Sequence, residues 1–211
     1  KYSVNNLKNA GINNIILVVG YKKELLFNYL KNEVEYVVQE EQLGTGHAAM
    51  MAKGNLKEKS EAVIVCYGDM PLYKPETIKR LIAEYKKEKP TIAMLSVNFK
   101  DPNFWSYGRI IRNYDGEVIN IREQKDCSEE EKGVKECNPG FYIFNAKWLW
   151  ENLNKLKSNN AQNEYYLTDM IKIAKDQNEK IVAIQVSEEF EALGINTQEQ
   201  LRKAEEILKG Q

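Results

Sequence analysis

The sequence is poor in the residues that zinc chemistry and covalent catalysis require. It holds one histidine, His47, and three cysteines, Cys66, Cys127 and Cys137. These four show no metal-ligand spacing, so a zinc site is disfavoured. An odd thiol count without a framework excludes a disulfide scaffold and predicts a reduced, cytoplasmic protein. A single histidine and no serine in a nucleophile-elbow setting argue against a Ser-His-Asp or Cys-His relay. Excess charge of one sign is also missing: 30 Lys and Arg stand against 31 Asp and Glu, a net charge of -1. Both signs are scattered, which predicts no nucleic-acid partner and no anionic membrane surface. No apolar run approaches ~20 residues and no signal-peptide pattern opens the chain, so the sequence predicts neither a membrane span nor export. A complete P-loop or Rossmann fingerprint is absent as well, as are internal repeats and low-complexity linkers.

What is present is an alternation of short apolar runs with helical patterns over the whole length. It predicts an α/β fold: an open mixed, mainly parallel sheet with helices on both faces and an antiparallel insert. At 211 residues the chain fits one domain, 1–211, able to bury roughly 70% of its unfolded surface. An opening helix carrying Val4 and Leu7 ends at Gly11, and residues 15–19 read as a buried strand. A helix over 22–31 places Leu26, Tyr29 and Leu30 on one face. A strand over 36–38 precedes a helix over 45–53, closed by Gly54. Residues 62–66 form the least polar strand candidate, expected in the middle of the sheet with both faces covered. Pro75 opens a helix with Ile78, Leu81, Ile82 and Tyr85 inward, and Pro90 ends it before a strand over 91–97, a βαβ unit. Residues 113–116 read as the turn of a hairpin between 108–112 and 118–123. A charged, mobile loop is expected over 127–136, then a strand over 140–144. Asn145 and Thr168 cap the next two helices. A strand over 181–186 and a helix boxed by Thr197 and Gln200 close the chain.

Two stretches carry chemistry. Tyr67-Gly68-Asp69 follows the least polar strand directly, and ligands of open α/β sheets bind beyond the carboxyl ends of strands. Asp69 there suits Mg²⁺ held against substrate phosphates, with a turn aspartate capping the Pro75 helix as the open alternative. Gln39 to His47 reads Q-E-E-Q-L-G-T-G-H, in which a strand ends, glycines flank Thr45 and a helix starts. Gly44 lets a flat ligand approach the backbone, Thr45 can cap the helix, and the Gln39 amide offers a paired donor and acceptor to a base edge. An ordinary glycine turn is the plainer reading of the same residues.

Taken in order, these segments resemble the bacterial N-acetylglucosamine-1-phosphate uridyltransferases, the UDP-N-acetylglucosamine pyrophosphorylases, over nearly the whole chain. Residues 39–48 resemble the family's Q-x-x-Q-L-G-T-G-H-A, implying uracil contacts from Gln39 and Gly44 and a nucleoside contact from Thr45. Tyr67, Gly68 and Asp69 resemble its Y-G-D, with Asp69 a magnesium ligand and the segment against the nucleotide. Tyr107-Gly108-Arg109-Ile110 is similar to Y-G-R-I, where the Gly108 backbone meets the N-acetyl group. Glu123 and Asn138 match its sugar contacts, and Asn196 the second magnesium ligand. Residues 159–169 are similar to N-A-Q-x-E-Y-Y-x-T-D, a stretch that separates the family from glucose-1-phosphate thymidylyltransferases. The resemblance implies a Rossmann-like nucleotide-diphospho-sugar transferase fold, Mg²⁺ as cofactor, and UTP, N-acetylglucosamine 1-phosphate and UDP-N-acetylglucosamine as substrates and product. The sugar phosphate attacks the α-phosphorus of UTP without a protein nucleophile.

Three departures qualify it. The family's first strand and its phosphate-gripping L-A-A-G-x-G-T-R-M loop with a nearby lysine do not occur in these residues, so the chain alone is expected to be nearly inactive. Pro139 replaces a small hydroxyl residue after Asn138, which loosens the sugar assignment. The family's hexapeptide-repeat acetyltransferase is not represented. The alternatives are another sugar-1-phosphate nucleotidyltransferase, or a non-catalytic nucleotide-sugar binding module.

Overall fold

The computed structural model describes residues 1–56 and 60–210, apart from the side chains of residues 104 and 105; Gln211, the end of the expected domain, lies outside them. In chain order the elements are α1 (Tyr2–Asn9), β1 (Ile16–Val19), α2 (Lys23–Leu30), β2 (Glu35–Val38), α3 (Thr45–Leu56), β3 (Ala62–Cys66), α4 (Pro75–Glu88), β4 (Ile92–Asn98) and α5 (Pro102–Trp105). There follow β5 (Arg109–Arg112), β6 (Val118–Arg122), α6 (Glu129–Lys132), β7 (Glu136–Cys137), β8 (Phe141–Asn145), α7 (Ala146–Asn152), α8 (Asp169–Asp176), β9 (Ile181–Gln185) and α9 (Gln198–Lys209).

Period-2 alternation in β4 and β8 sorts the core into two layers. Ala93, Leu95, Val97, Phe141 and Ile143 pack with Leu7 of α1, Ile78 and Leu81 of α4 and Ala204 of α9. Ile92, Met94, Tyr142 and Phe144 pack on the other face with Ala49 of α3, Leu149 of α7 and Met170 and Ile171 of α8. Helices therefore cover both faces, as the alternation predicts. Each fully buried Leu, Ile, Phe or Met stabilises by about 1.5–3 kcal/mol over its exposed state, so these two layers hold the sheet and the helices together.

The α/β class and the mixed sheet stand; what the sequence understates is the antiparallel share. β1 pairs β2 and β4 pairs β9 in parallel, whereas β3·β8, β4·β8, β4·β7, β5·β6 and β5·β7 are antiparallel. The reason is β8, which returns between β3 and β4 and pairs with both. The expected βαβ unit thus has a third strand inside it. β3 is not central: its only ladder among the described residues is to β8, and of its residues only Val63 is buried. β1 and β2 form a separate pair. Among the described residues no further strand pairs with them; β1 buries only Val19, and α2 leaves Leu26 40% and Tyr29 62% exposed, burying Leu30 alone.

Local differences have local causes. α3 runs through Gly54 to Leu56, because one interior glycine costs only about 1 kcal/mol, less than packing returns. The charged 127–136 stretch holds a turn of helix, α6, closed by a capping box between Ser128 and Glu131. Asn145 caps α7 by accepting from Trp148 N, and Thr197 with Gln200 boxes α9, both as predicted.

Candidate active site

Gln39, Tyr67, Glu123 and Asn138 each follow a strand directly, after β2, β3, β6 and β7. The carboxyl ends of four strands thereby deliver four of the predicted side chains. Asp69 and Asn196, 127 positions apart by number (196 − 69), are drawn together by one backbone bond, Ile195 N to Asp69 O at 3.0 Å. Both residues are exposed. Asp69 does not cap α4, whose N-cap Lys74 has no side-chain cap. Among the described residues, no cluster of three or more His, Cys, Asp or Glu side chains is placed to hold a metal, so any ion here relies on two oxygen donors plus what its ligand brings.

Asn138 N donates to Gly108 O at 2.9 Å, joining two predicted residues. Asn138 Oδ1 accepts from Gly140 N at 3.1 Å, which turns its amide nitrogen free of that turn. A Cβ placed on Gly108 would lie 3.3 Å from Glu123 Oε2, so the carboxylate stands against the Gly108 backbone. Its other oxygen accepts from Thr168 Oγ1 at 2.8 Å. Tyr67 ties the halves: its phenol interacts with Thr45, Tyr142, Glu123 and Asp69.

The loop around Gly44 is braced by residues 165–167. Tyr165 N donates to Leu43 O and Gly46 N to Tyr165 O, while Leu167 N donates to Thr45 Oγ1 at 3.0 Å. Gly44 adopts φ +104, and a Cβ there would lie 2.8 Å from Glu164 Cβ and Tyr165 O. Only glycine satisfies both the backbone and the space. Gln39 is buried, its amide nitrogen 3.2 Å from Gly44 O and 2.9 Å from His47 Nδ1. Since an amide NH₂ only donates, the Gln39 oxygen remains as the acceptor offered to a ligand, and the paired donor of the sequence reading is spent internally.

Residues 1–163 match the family model of the MobA-like NTP transferase domain. The chain belongs to this family. Bifunctional protein GlmU of Streptococcus mutans serotype c is 45% identical over 194 residues, 92% of this chain and 42% of that protein. GlmU of Acetivibrio thermocellus is 43% identical over 204 residues, covering 97% and 44% of the two chains; GlmU of Clostridium beijerinckii is 44% identical over 210, covering 99% and 45%. The chain thus spans less than half the length of these curated relatives. Among solved structures, UDP-glucose pyrophosphorylase complexed with UDP-glucose superposes with a TM-score of 0.74 at 18% identity, covering 99% of this chain and 85% of that one. That likeness is one of fold.

In this NTP transferase domain the electrostatics follow burial. Desolvation raises the Glu123 carboxyl above its ordinary range, opposed by the Thr168 bond and reinforced by Asp169, Asp126 and Glu164. Desolvation also raises Asp69. Cys66 is pushed up to about 12 and Cys137 to about 11, both by burial first, so neither is a thiolate near neutrality.

Sequence patterns alone missed several residues here. Thr168 was expected to cap α8, yet it makes no side-chain cap; its hydroxyl goes to Glu123 instead. Gln124 Oε1 is buried without a hydrogen-bond partner, while the buried phenols of Tyr142 and Tyr166 interact with Asn138 and Asp126 respectively. Two grooves, one lined by Lys53, Glu61, Lys147 and Trp150, the other by Tyr2, Leu201 and Leu208, contain none of the predicted site residues.

Proposed function

We propose that this chain is the nucleotidyltransferase portion of an enzyme forming UDP-N-acetylglucosamine and pyrophosphate from UTP and N-acetylglucosamine 1-phosphate in the cytoplasm, for cell-wall precursor synthesis. The observation that carries the reading is the meeting of Asp69 with the Ile195-Asn196 segment, opposite Gly108, Glu123 and Asn138. No covalent enzyme intermediate is required: a sugar-phosphate oxygen bonds to the α-phosphorus and the bond to pyrophosphate breaks. Rate comes from holding the reactants in line and offsetting charge.

The donor set fits Mg²⁺, which takes hard oxygens, binds through one or two protein groups and leaves its other positions to phosphate and water. Asp69 and Asn196 would hold it, and when bound it supplies charge neutralisation on the phosphates. The free Gln39 oxygen suits the imide N–H of uracil. Cytosine presents a lone pair there and would be rejected. Glu123 accepts hydrogen bonds from sugar hydroxyls, Asn138 donates its amide, and Gly108, with no side chain, admits the acyl group. Thr45, Tyr67, Gly68 and Gly44 line the nucleoside side.

Calorimetric titration of the chain with Mg²⁺ and UDP-N-acetylglucosamine tests this against UDP-glucose and the cytidine analogue. Tightest binding of the first is expected. Indifference to both base and sugar would sink the assignment.

The raised Glu123 pKa gives a second expectation. Protonation turns one carboxylate oxygen into a donor and removes the charge that strengthens its bonds from sugar hydroxyls, so acidification through a raised pKa weakens sugar affinity at higher pH than an ordinary glutamate would. The dissociation constant for UDP-N-acetylglucosamine should therefore rise on acidification with a midpoint above the usual glutamate value, and stay flat at higher pH. Glu123→Gln should bind more weakly throughout and lose that limb. A wild-type profile that coincides in shape with the variant's removes Glu123 from the sugar site.

A further inference from the structure

Tyr107 precedes the Gly108 backbone assigned to the sugar side, yet its hydroxyl bonds to the turn that precedes Asn196. The ring stacks on Phe99, with centroids 5.5 Å apart at 29°. From there the phenol donates to Ala192 O at 2.9 Å and accepts from Gly194 N at 2.6 Å. One oxygen that donates and accepts at once requires a hydroxyl; phenylalanine offers neither function. The fit leaves no slack: a Cβ on Gly194 would lie 2.7 Å from that hydroxyl and 3.0 Å from Met70 Sδ. Met70 follows Asp69, and Ile195, next after Gly194, donates its amide to Asp69 O. Asn196 is the residue after that.

The segments bearing Asp69 and Asn196 are thus clamped to each other by a backbone bond and clamped jointly to Tyr107. Through its own main chain Tyr107 continues into Gly108, whose carbonyl holds Asn138 N. Arg109, fully buried, secures the same strand entrance by donating to Tyr107 O and, at 2.9 Å, to Asn103 Oδ1. Burial raises the phenol's pKa, so it keeps the proton that it gives to Ala192.

We propose that Tyr107 is a positioning residue whose hydroxyl fixes the spacing between the Asp69/Asn196 oxygens and the Gly108/Asn138 sugar side. The inference rests on the reading of the site given under Proposed function. Without the hydroxyl, Gly194 N–H and Ala192 C=O lose their shared partner, the 192–196 turn is free to drift, and Asn196 is no longer held beside the Asp69 segment. The sugar side, held by its own bonds among Gly108, Asn138, Glu123 and Thr168, is unaffected. The substitution therefore separates two affinities that a general loss of stability would lower together.

The experiment uses Mn²⁺ as the probe metal, read by loss of the free-ion electron paramagnetic resonance signal in the presence of UDP-N-acetylglucosamine. Nucleotide-sugar binding without metal is measured beside it by calorimetry, on the 211-residue chain and its Asp69→Ala, Tyr107→Phe and Gly194→Ala variants. Tyr107→Phe is expected to weaken Mn²⁺ binding about 10-fold while metal-free binding of the nucleotide sugar stays within about 2-fold. Gly194→Ala, which keeps the hydroxyl but forces it away, should give the same split and decides the matter if Tyr107→Phe does not fold. Unchanged Mn²⁺ affinity in the folded variant, or equal loss of both affinities, overturns the positioning role. If Asp69→Ala binds Mn²⁺ as the unaltered chain does, the metal pair itself is wrong and the inference falls with it. Failure of Tyr107→Phe alone leaves the pair in place.

Discussion

Asp69→Ala is expected to lower kcat/KM for pyrophosphate release by roughly 100- to 1000-fold, measured in a polypeptide that joins these residues to the family's phosphate-gripping loop. A metal acting as Lewis acid contributes several kcal/mol to charge stabilisation, and each 1.36 kcal/mol is tenfold in rate. The substitution should leave the fold intact. The bond that links this segment to Ile195 is made by the Asp69 carbonyl, which alanine retains. Circular dichroism and thermal melting should overlay, and higher Mg²⁺ should not rescue the rate. Rate loss below about tenfold would show that Asp69 is no ligand.

The 211 residues alone are expected to turn over UTP and N-acetylglucosamine 1-phosphate at least about 100-fold more slowly than a chimera carrying the family's first strand and L-A-A-G-x-G-T-R-M loop ahead of Lys1. Loss of one transition-state donor costs roughly 100- to 1000-fold, and here an arginine and a lysine are both lacking. The arginines that open β5 and end β6 do not replace them. Arg109 is fully buried, with its Nη1 and Nη2 bonded to Tyr107 O and Asn103 Oδ1, and Arg122 is paired with Glu131. Binding of UDP-N-acetylglucosamine with Mg²⁺ should outlast turnover, because Gln39, Glu123 and Asn138 do not depend on that loop. A coupled assay for pyrophosphate on both polypeptides decides it, and equal rates would mean that charge on the triphosphate is offset by groups within these 211 residues.

Much of this was legible in the chain because the signals are local. Apolar periodicity marked α4 and its inward face of Ile78 and Leu81; the capping pairs at Asn145 and Thr197 need only neighbours within four positions. Short motifs exposed Gln39, Asp69 and Glu123, since the chemistry of their side chains and the strand ends before them are written consecutively. Strand order was not legible. Nothing in residues 141–145 says that they turn back between β3 and β4, so β3 was expected inside the sheet and lies at its edge. Periodicity reports which face of a strand is buried and is silent about which strand lies beside it.

The same division holds at the site. By itself the sequence determined the α/β class, the helix ends, and which residue types stand at the strand termini, because propensity, periodicity and capping act over a few residues. Tertiary structure alone decided that the Thr168 hydroxyl serves Glu123 rather than α8, that Thr45 receives Leu167, and that one phenol oxygen joins Tyr107 to the turn before Asn196. Those are contests between hydrogen-bond partners 45 to 122 positions apart, and only packing, which sets what lies within 3 Å, can choose between them.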